Sequence, residues 1–373
     1  METTQGLWNR ILDTSRELGF GAVGAVSAQP DPRRPALERW LDQGMHGDMA
    51  WMAKDPERRT DPRRVLPEAR SVLALYFSYH PGPLVVPQQG SPRGRIARYA
   101  LGDDYHDVLV AKLRTLSGML EDPTARVYTD TGPFLERSVA SRAQLGWTGK
   151  SGLLIHPKLG TYGFLAEIVT AHELPVAAAP HADRCGTCTR CLDVCPTGAL
   201  VAPGVVDSRR CISYLTIEHR GPIPRELRPL MGDWVYGCDL CQEVCPWNGK
   251  APAASEPAFR PKAERVFPQL VDLLLMSQEQ FSQTFKGSAI KRTKRRGLAR
   301  NAAIALGNAR DPATVPALRQ ALETDPETLV RGAAAWALGR IETAAARAAL
   351  EAAQQREPDA EVRAEIQGAL AGE

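Results

Sequence analysis

Apolar residues recur at helical spacing over Leu7–Leu18, where Leu7, Trp8, Ile11, Leu12 and Leu18 share a face and Gly19 offers a C-terminal stop. The short apolar run "AVGAV" that follows reads as a strand reached through a turn. "SVLALYFSY" (Ser71–Tyr79) is a stronger strand, β-branched and aromatic, closed by Pro81 and Gly82. Asp107–Leu120 returns to the helical period. "RVYTDTG" reads as a strand running into a turn, and "SGLLIH" and "FLAEIVTA" as further strands. Mixed helices and strands over about 175 residues predict one α/β or α+β domain.

After Trp247 the pattern changes. "RNAAIALGNARDP" (Arg300–Pro312) recurs as "RGAAAWALGRIET" (Arg331–Thr343) and more weakly as "RAEIQGAL" (Arg363–Leu370). A period of about thirty residues with helical spacing is the mark of stacked helix pairs, and small residues let such helices approach closely. The tail is expected to form a short HEAT-like array, with Pro312 and Pro316 at a turn and a helix start.

Two glycine motifs drop out on context. Gly19, Gly21 and Gly24 match G-x-G-x-x-G, but follow a helix and open a strand, the reverse of a dinucleotide fingerprint. "GWTGKS" resembles the end of a phosphate loop, yet Gln144 stands where the motif's first glycine belongs.

Composition adds limits. A net charge of +3 does not by itself call for nucleic acid. No apolar run reaches the ~18 residues that span a bilayer. The N-terminal stretch lacks the apolar core of a signal peptide, which points to a cytoplasmic protein. Thiols stay reduced there, so its eight cysteines read as metal ligands.

Cys185, Cys188, Cys191 and Cys195 follow C-x2-C-x2-C-x3-C-P, the bacterial ferredoxin run, whose fourth cysteine ligates the other cluster. The second run, Cys238, Cys241 and Cys245 before Pro246, is one cysteine short, and Cys211 completes the count. Cluster one then takes Cys185, Cys188, Cys191 and Cys245; cluster two takes Cys195, Cys211, Cys238 and Cys241. Zinc is the rival, but zinc sites rarely use so tight a run before proline and do not need the crossed pattern. No C-x3-C-x2-C order occurs, which argues against a radical S-adenosylmethionine cluster. With every iron held by cysteine, both [4Fe–4S] clusters relay electrons and substrate chemistry belongs to the N-terminal domain.

Four further stretches stand beside the cysteines: "RRTDPRRVLPEARSVLALYFSY", "RIARYALGDDYHDVL", the long segment from "VYTDTGPFLERS" to "FLAEI", and "CISYLTIEHRGPIP". Together with the cysteine pattern they resemble the epoxyqueuosine reductase family over roughly residues 5–250, and the repeat tail resembles its longer members. The resemblance implies reduction of epoxyqueuosine to queuosine at the wobble position of tRNA. Electrons would come from an external low-potential donor of ferredoxin or flavodoxin type. It implies cobalamin in an N-terminal domain similar to that of reductive dehalogenases, without a histidine on cobalt; the Asp-x-His-x-x-Gly signature is absent here. It makes Asp130 the proton donor, a role that needs a raised carboxyl pKa. On the residues alone Asp130 is a turn residue before Gly132 and Pro133.

Around that centre the resemblance assigns Arg59 to cofactor or phosphate contact. Tyr105 and His106 are read as lining the pocket, His106 having a capping role as its alternative. Lys150 is read as touching substrate phosphate or the corrin, or as a solvated loop lysine. Thr216 and Asp239 face the corrin or cap helices. "KGSAIKRTKRRGLAR" places Lys286, Lys291, Arg292, Lys294, Arg295, Arg296 and Arg300 in fifteen residues without an acid, a run suited to tRNA phosphates. The expected organisation is multidomain α+β. Residues 1–175 form an α/β cobalamin and catalytic domain, 176–250 a ferredoxin-like domain with two [4Fe–4S] clusters, and 251–373 a helical, tRNA-binding HEAT-like domain. The protein is expected to be a monomer. Rival readings are a corrinoid reductase of a small molecule, as in reductive dehalogenation, and a ferredoxin-type carrier on a helical scaffold.

Overall fold

The structure, a computed structural model, describes residues 3–85, 90–176 and 178–372. It divides into two compact units, each built from separated stretches of chain. The first holds Met1–Gly82, Gly102–Ser208 and Asp239–Arg260; the second holds Pro83–Leu101, Arg209–Cys238 and Pro261–Glu373. This division does not follow the linear expectation, because the cysteine segment is shared between the units. One reason lies in strand pairing: Trp234–Tyr236 runs parallel to Arg95–Ile96, tying the middle of the cysteine segment to a stretch nearly 140 residues earlier.

In the first unit, helix α1 (Thr4–Glu17) starts at Thr3, whose hydroxyl accepts from Gly6 N, and ends before Gly19 at φ +91°. Four strands form the sheet: β1 (Ala22–Ser27), β2 (Ser71–Ser78), β3 (Arg126–Tyr128) and β4 (Gly163–Thr170). Their spatial order is β1-β2-β4-β3, with every pairing antiparallel. The sheet is therefore of the α+β kind, without the parallel crossover that a dinucleotide fold needs. Gly24 has a packing role instead: a Cβ there would lie 2.1 Å from the Ala143 carbonyl oxygen. Helix α2 (Tyr105–Met119) is capped by Asp104, whose carboxylate accepts from His106 N. The short helix α3 (Glu136–Arg142) buries Val139 and Ala140 against the apolar face made by Val26, Val72, Ala74 and Val169. "SGLLIH" contributes only Leu154–Ile155 as strand.

In the second unit the repeats fold as helices α4 (Lys294–Ala309), α5 (Val315–Thr324), α6 (Thr328–Ile341), α7 (Ala344–Gln354) and α8 (Ala360–Ala371). Small residues set their spacing. A Cβ on Gly307 would lie 2.8 Å from Ala337 Cα, and one on Gly339 2.7 Å from Ala369 Cβ. Each helix meets the next repeat's equivalent where a side chain has been given up. Buried ion pairs fix the loops: Arg295 meets Asp325 at 2.8 Å and Arg331 meets Glu357 at 2.8 Å.

Candidate functional site

The first unit carries six of the eight cysteines, and the second carries Cys211 and Cys238. All eight are free thiols and partly buried. Two short helices, Arg190–Val194 and Leu240–Glu243, present the two runs. Cys195 and Cys245, each before a proline, have ψ of 105° and 120°, the extended backbone that a following proline imposes. Cys245 stands with the first run: burial pushes its thiol up, and Cys185, Cys191 and Cys188 push in the same direction. The four residues that spacing assigns to cluster one are thus neighbours. Among the described residues no three His, Cys, Asp or Glu side chains converge as they would on one ion.

Two residues brace this cysteine loop. Trp147 is buried and its Nε1–H donates to Cys185 Sγ at 3.5 Å, while Trp247 packs edge-on against its ring. Lys150 Nζ donates to the carbonyls of Gly186 at 2.7 Å and Cys188 at 3.0 Å. Two of the three Lys150 N–H donors are thus spent on the cluster loop. A cation there also suits the negative charge of thiolate-held iron. Trp147 was missed in the sequence, since nothing local distinguishes it from a core tryptophan.

Asp130 lies two residues beyond β3 with φ +57°, a left-handed conformation that aspartate tolerates better than most residues. Its side chain is 63% exposed, so the burial expected to raise its pKa is not present around the carboxyl itself. Three groups fix it. Tyr105 O–H donates to Asp130 Oδ2 at 2.6 Å, and His106 Nε2 lies 3.5 Å from the same oxygen. Its backbone N–H donates to Glu136 Oε1 at 2.6 Å. Tyr105 is in turn stacked on Phe164 with rings 4.4 Å apart and 9° from parallel. His106 Nδ1 sits 2.7 Å from Asp104 Oδ1. Burial pulls the imidazole down, but the bonds to Asp104 and Asp130 outweigh it and push its pKa up to about 9. At neutral pH Asp130 has a cation beside it.

Behind the loop, Glu167 on β4 is fully buried at a position opposite Ala74 on β2 and Tyr128 on β3. Burial first, and the Glu136 charge second, push its carboxyl well above the usual range; burial and Asp130 push Glu136 the same way. Arg137 and Arg59 bring positive charge towards Glu136. Arg59 also donates to the Trp51 carbonyl at 2.9 Å. Neither glutamate was picked out in the sequence, although Glu167 is the one charged residue in the apolar strand "FLAEIVT".

Thr216 and Asp239 are corrected. They are 0% and 1% exposed, which leaves no surface to offer a corrin. Thr216 Oγ1 donates to the Ile212 carbonyl and accepts from Gly237 N; Asp239 Oδ1 accepts from Gln242 Nε2. The basic run is corrected in part. Arg300 is 1% exposed and donates to the carbonyls of Leu215, His219 and Gly221; Arg295 is buried in its bidentate pair with Asp325. Neither can reach a phosphate. Lys286, Lys291, Arg292 and Lys294 are exposed and Arg296 partly so, with Arg292 paired to Glu218.

Comparison with known proteins decides the family. A family model described as "4Fe-4S double cluster binding domain" matches residues 184–248, one described as "Epoxyqueuosine reductase QueG, DUF1730" matches 59–131, and one described as "HEAT repeats" matches 288–371. An epoxyqueuosine reductase of Pseudomonas aeruginosa is 40% identical over 338 residues, covering 88% of this chain and 93% of the relative. The chain belongs to the epoxyqueuosine reductase family. A solved epoxyqueuosine reductase with an epoxyqueuosine-modified tRNA stem loop superposes with a TM-score of 0.93 at 34% identity, covering 99% of both chains. That of Bacillus subtilis, with the catalytic loop of its aspartate swung out of the active site, has a TM-score of 0.91 at 34% identity over 99% of this chain and all of the relative. As a member of an oxidoreductase family with a double-cluster domain, the chain is an iron–sulfur enzyme carrying HEAT repeats.

Proposed function

We propose that this epoxyqueuosine reductase acts on the wobble nucleoside of a tRNA, and that Asp130 gives the opened epoxide its proton. The Asp130 loop carries the reading: an exposed carboxyl in left-handed backbone, held from three sides, in the same unit as Cys185, Cys188, Cys191 and Cys245. The tRNA stem loop bound to the solved relative supports the substrate class. The swung-out loop of the Bacillus subtilis relative supports treating the Asp130 loop as movable here.

The ligand sets of the two clusters are those the spacing gives. Cobalamin would fit the Asp130 surroundings, held along its edge by side chains rather than by a histidine lone pair. His106 is protonated between Asp104 and Asp130 and has no lone pair to give, while Tyr105 offers an O–H. We assign Tyr105, His106 and Arg59 to its edge. When bound, the clusters and cobalamin would pass on from the external donor the two electrons that, with two protons, release the epoxide oxygen as water. The chain's own residues hold Asp130 in place, keep a cation beside it and present the proton at its carboxyl. An exposed aspartate becomes a competent acid only when bound reactants exclude water from it, which raises its pKa as burial does elsewhere.

Lys286, Lys291, Arg292, Lys294 and Arg296 are proposed to meet the phosphates of the tRNA stem, with a base drawn out of its stack to reach the site. The donor of electrons is proposed to be a low-potential ferredoxin or flavodoxin, and the enzyme to work as a monomer in the cytoplasm. Among the described residues, no helix is long and apolar enough to cross a membrane.

The test is anaerobic turnover of epoxyqueuosine-containing tRNA by protein reconstituted with iron, sulfide and cobalamin. The Asp130→Asn variant should keep its cluster and cob(II)alamin spectra and lose at least 100-fold in kcat, the scale of general acid catalysis. Full activity in that variant removes Asp130 from the mechanism. Turnover of a small halogenated phenol but not of the tRNA overturns the substrate class.

A further inference from the structure

Asp130 stands in a backbone conformation that most residues avoid, at the tip of a loop with its side chain mostly exposed. Tyr105 holds the Asp130 carboxyl, and Thr131 N–H donates to the Thr129 carbonyl within the turn. Thr129 Oγ1 donates to the Leu165 carbonyl at 2.9 Å, which anchors the residue before it, and Gly132 packs against Tyr128. A bond to the Asp130 backbone comes from the first turn of α3, where Glu136 Oε1 accepts Asp130 N–H at 2.6 Å.

Glu136 is itself held from behind. Glu167 lies beneath it in the sheet, fully buried, and neither of its carboxyl oxygens meets a donor from another residue. Its neighbour is the Glu136 carboxyl. Two buried carboxyls that push each other upward disfavour joint ionisation, which favours a neutral Glu167 beneath Glu136. The groups that face the pair are Asp130, Arg137 and, on the Glu136 side, Arg59.

We propose that Glu136 is a positioning residue which latches the Asp130 loop inward through the Asp130 amide, with Glu167 as the buried anchor that keeps Glu136 turned towards it. This rests on the reading of Asp130 as proton donor and goes beyond it by naming what holds the donor in place. Both carboxyls are pushed upward by burial, and the bond from Asp130 N–H to Glu136 is what carries the latch.

The latch predicts a graded series. Glu136→Ala removes the acceptor; Glu136→Gln keeps a carbonyl oxygen that can accept the same N–H. Glu167→Gln keeps a hydrogen-bonded partner under Glu136, and Glu167→Ala removes it. Hydrogen exchange in the full-length, cluster-loaded protein reads the loop without turnover. In Glu136→Ala, peptides covering Asp130–Gly132 should exchange at least ten times faster, while those over β4 stay as in wild type. Its kcat should fall at least tenfold with KM for the tRNA unchanged within threefold, and Glu136→Gln should recover a third or more of the loss. Equal exchange in Glu136→Ala and wild type overturns the latch, as does a Glu136→Gln variant no better than Glu136→Ala. A uniform rise over β4 as well would also overturn it, since that marks general loosening. Asp130→Asn is run in parallel. If it turns over normally the proton-donor reading fails, whereas an inactive Asp130→Asn beside an active Glu136→Ala sinks the latch alone.

Discussion

Replacing Asp104 by Asn should lower the titration of His106 and weaken its charge beside Asp130. The ring is gripped at Nδ1 by Asp104 at 2.7 Å and approached at Nε2 by Asp130 at 3.5 Å. Burial opposes the charge, the carboxylates win, and the pKa stands near 9. Set against the ordinary value near 6.5, that difference is worth about 3 kcal/mol, or about 2 kcal/mol after discounting for water. The discount reflects the 32% of the side chain that remains accessible. Because the folded value is raised, the contribution is complete below about pH 6.5 and is lost as pH climbs through 9. Carbon-13 NMR of histidine-labelled, oxidised protein follows the ring directly. The wild-type ring should titrate near 9, Asp104→Asn should bring it down by about one unit or more, and Asp130→Asn should bring it down less, since its contact is longer. A wild-type ring titrating at or below 6.5, or one indifferent to Asp104→Asn, refutes this account of the pair.

Trp147→Phe should lower the reduction potential of cluster one. An N–H to a ligand sulfur favours the more negative reduced state, and a bond worth about 1 kcal/mol corresponds to roughly 40 mV in an EPR-monitored titration. An unchanged potential would leave Trp147 as packing only. Asp325→Ala should destabilise the repeat unit by about 3 kcal/mol by stranding buried Arg295, while Arg295→Met with Asp325→Leu should be close to neutral in denaturant unfolding. Additive losses in the double variant would show that the pair is not coupled. Neutralising Lys291, Arg292, Lys294 and Arg296 should weaken tRNA binding and reduce the salt slope by about 3, and an unchanged slope would return the run to solvated surface. Arg300→Met should instead lower stability, because three backbone carbonyls lose their donor.

What could be read in the sequence was what is fixed over short distances along the chain. Cysteine spacing was legible because most ligands of each run stand within a turn or two of chain, whereas the assignment of distant Cys245 to the first run came from the crossed ferredoxin pattern. The repeat period was legible because each helix answers to the next, and Gly307 and Gly339 mark the contact in the first two copies. Charge was the poorer guide. Arg300 and Lys294 look alike in a basic run, yet one is walled in by carbonyls and the other lies in water, because helix phase decides which face each occupies. The unit boundaries were hidden because strand pairing across nearly 140 residues leaves no local mark. The surroundings of Asp130 fell between these cases. Its position in a turn was plain and its role came from resemblance, but Glu136 and Glu167 meet only when the loop beyond β3 folds back over β4. A lone glutamate inside an apolar strand was the available signal. A buried carboxyl is expensive unless something returns the cost, so a charged residue at such a position should be traced to its neighbour before it is taken for an irregularity of the pattern. Here that neighbour leads directly to the backbone of the proposed acid.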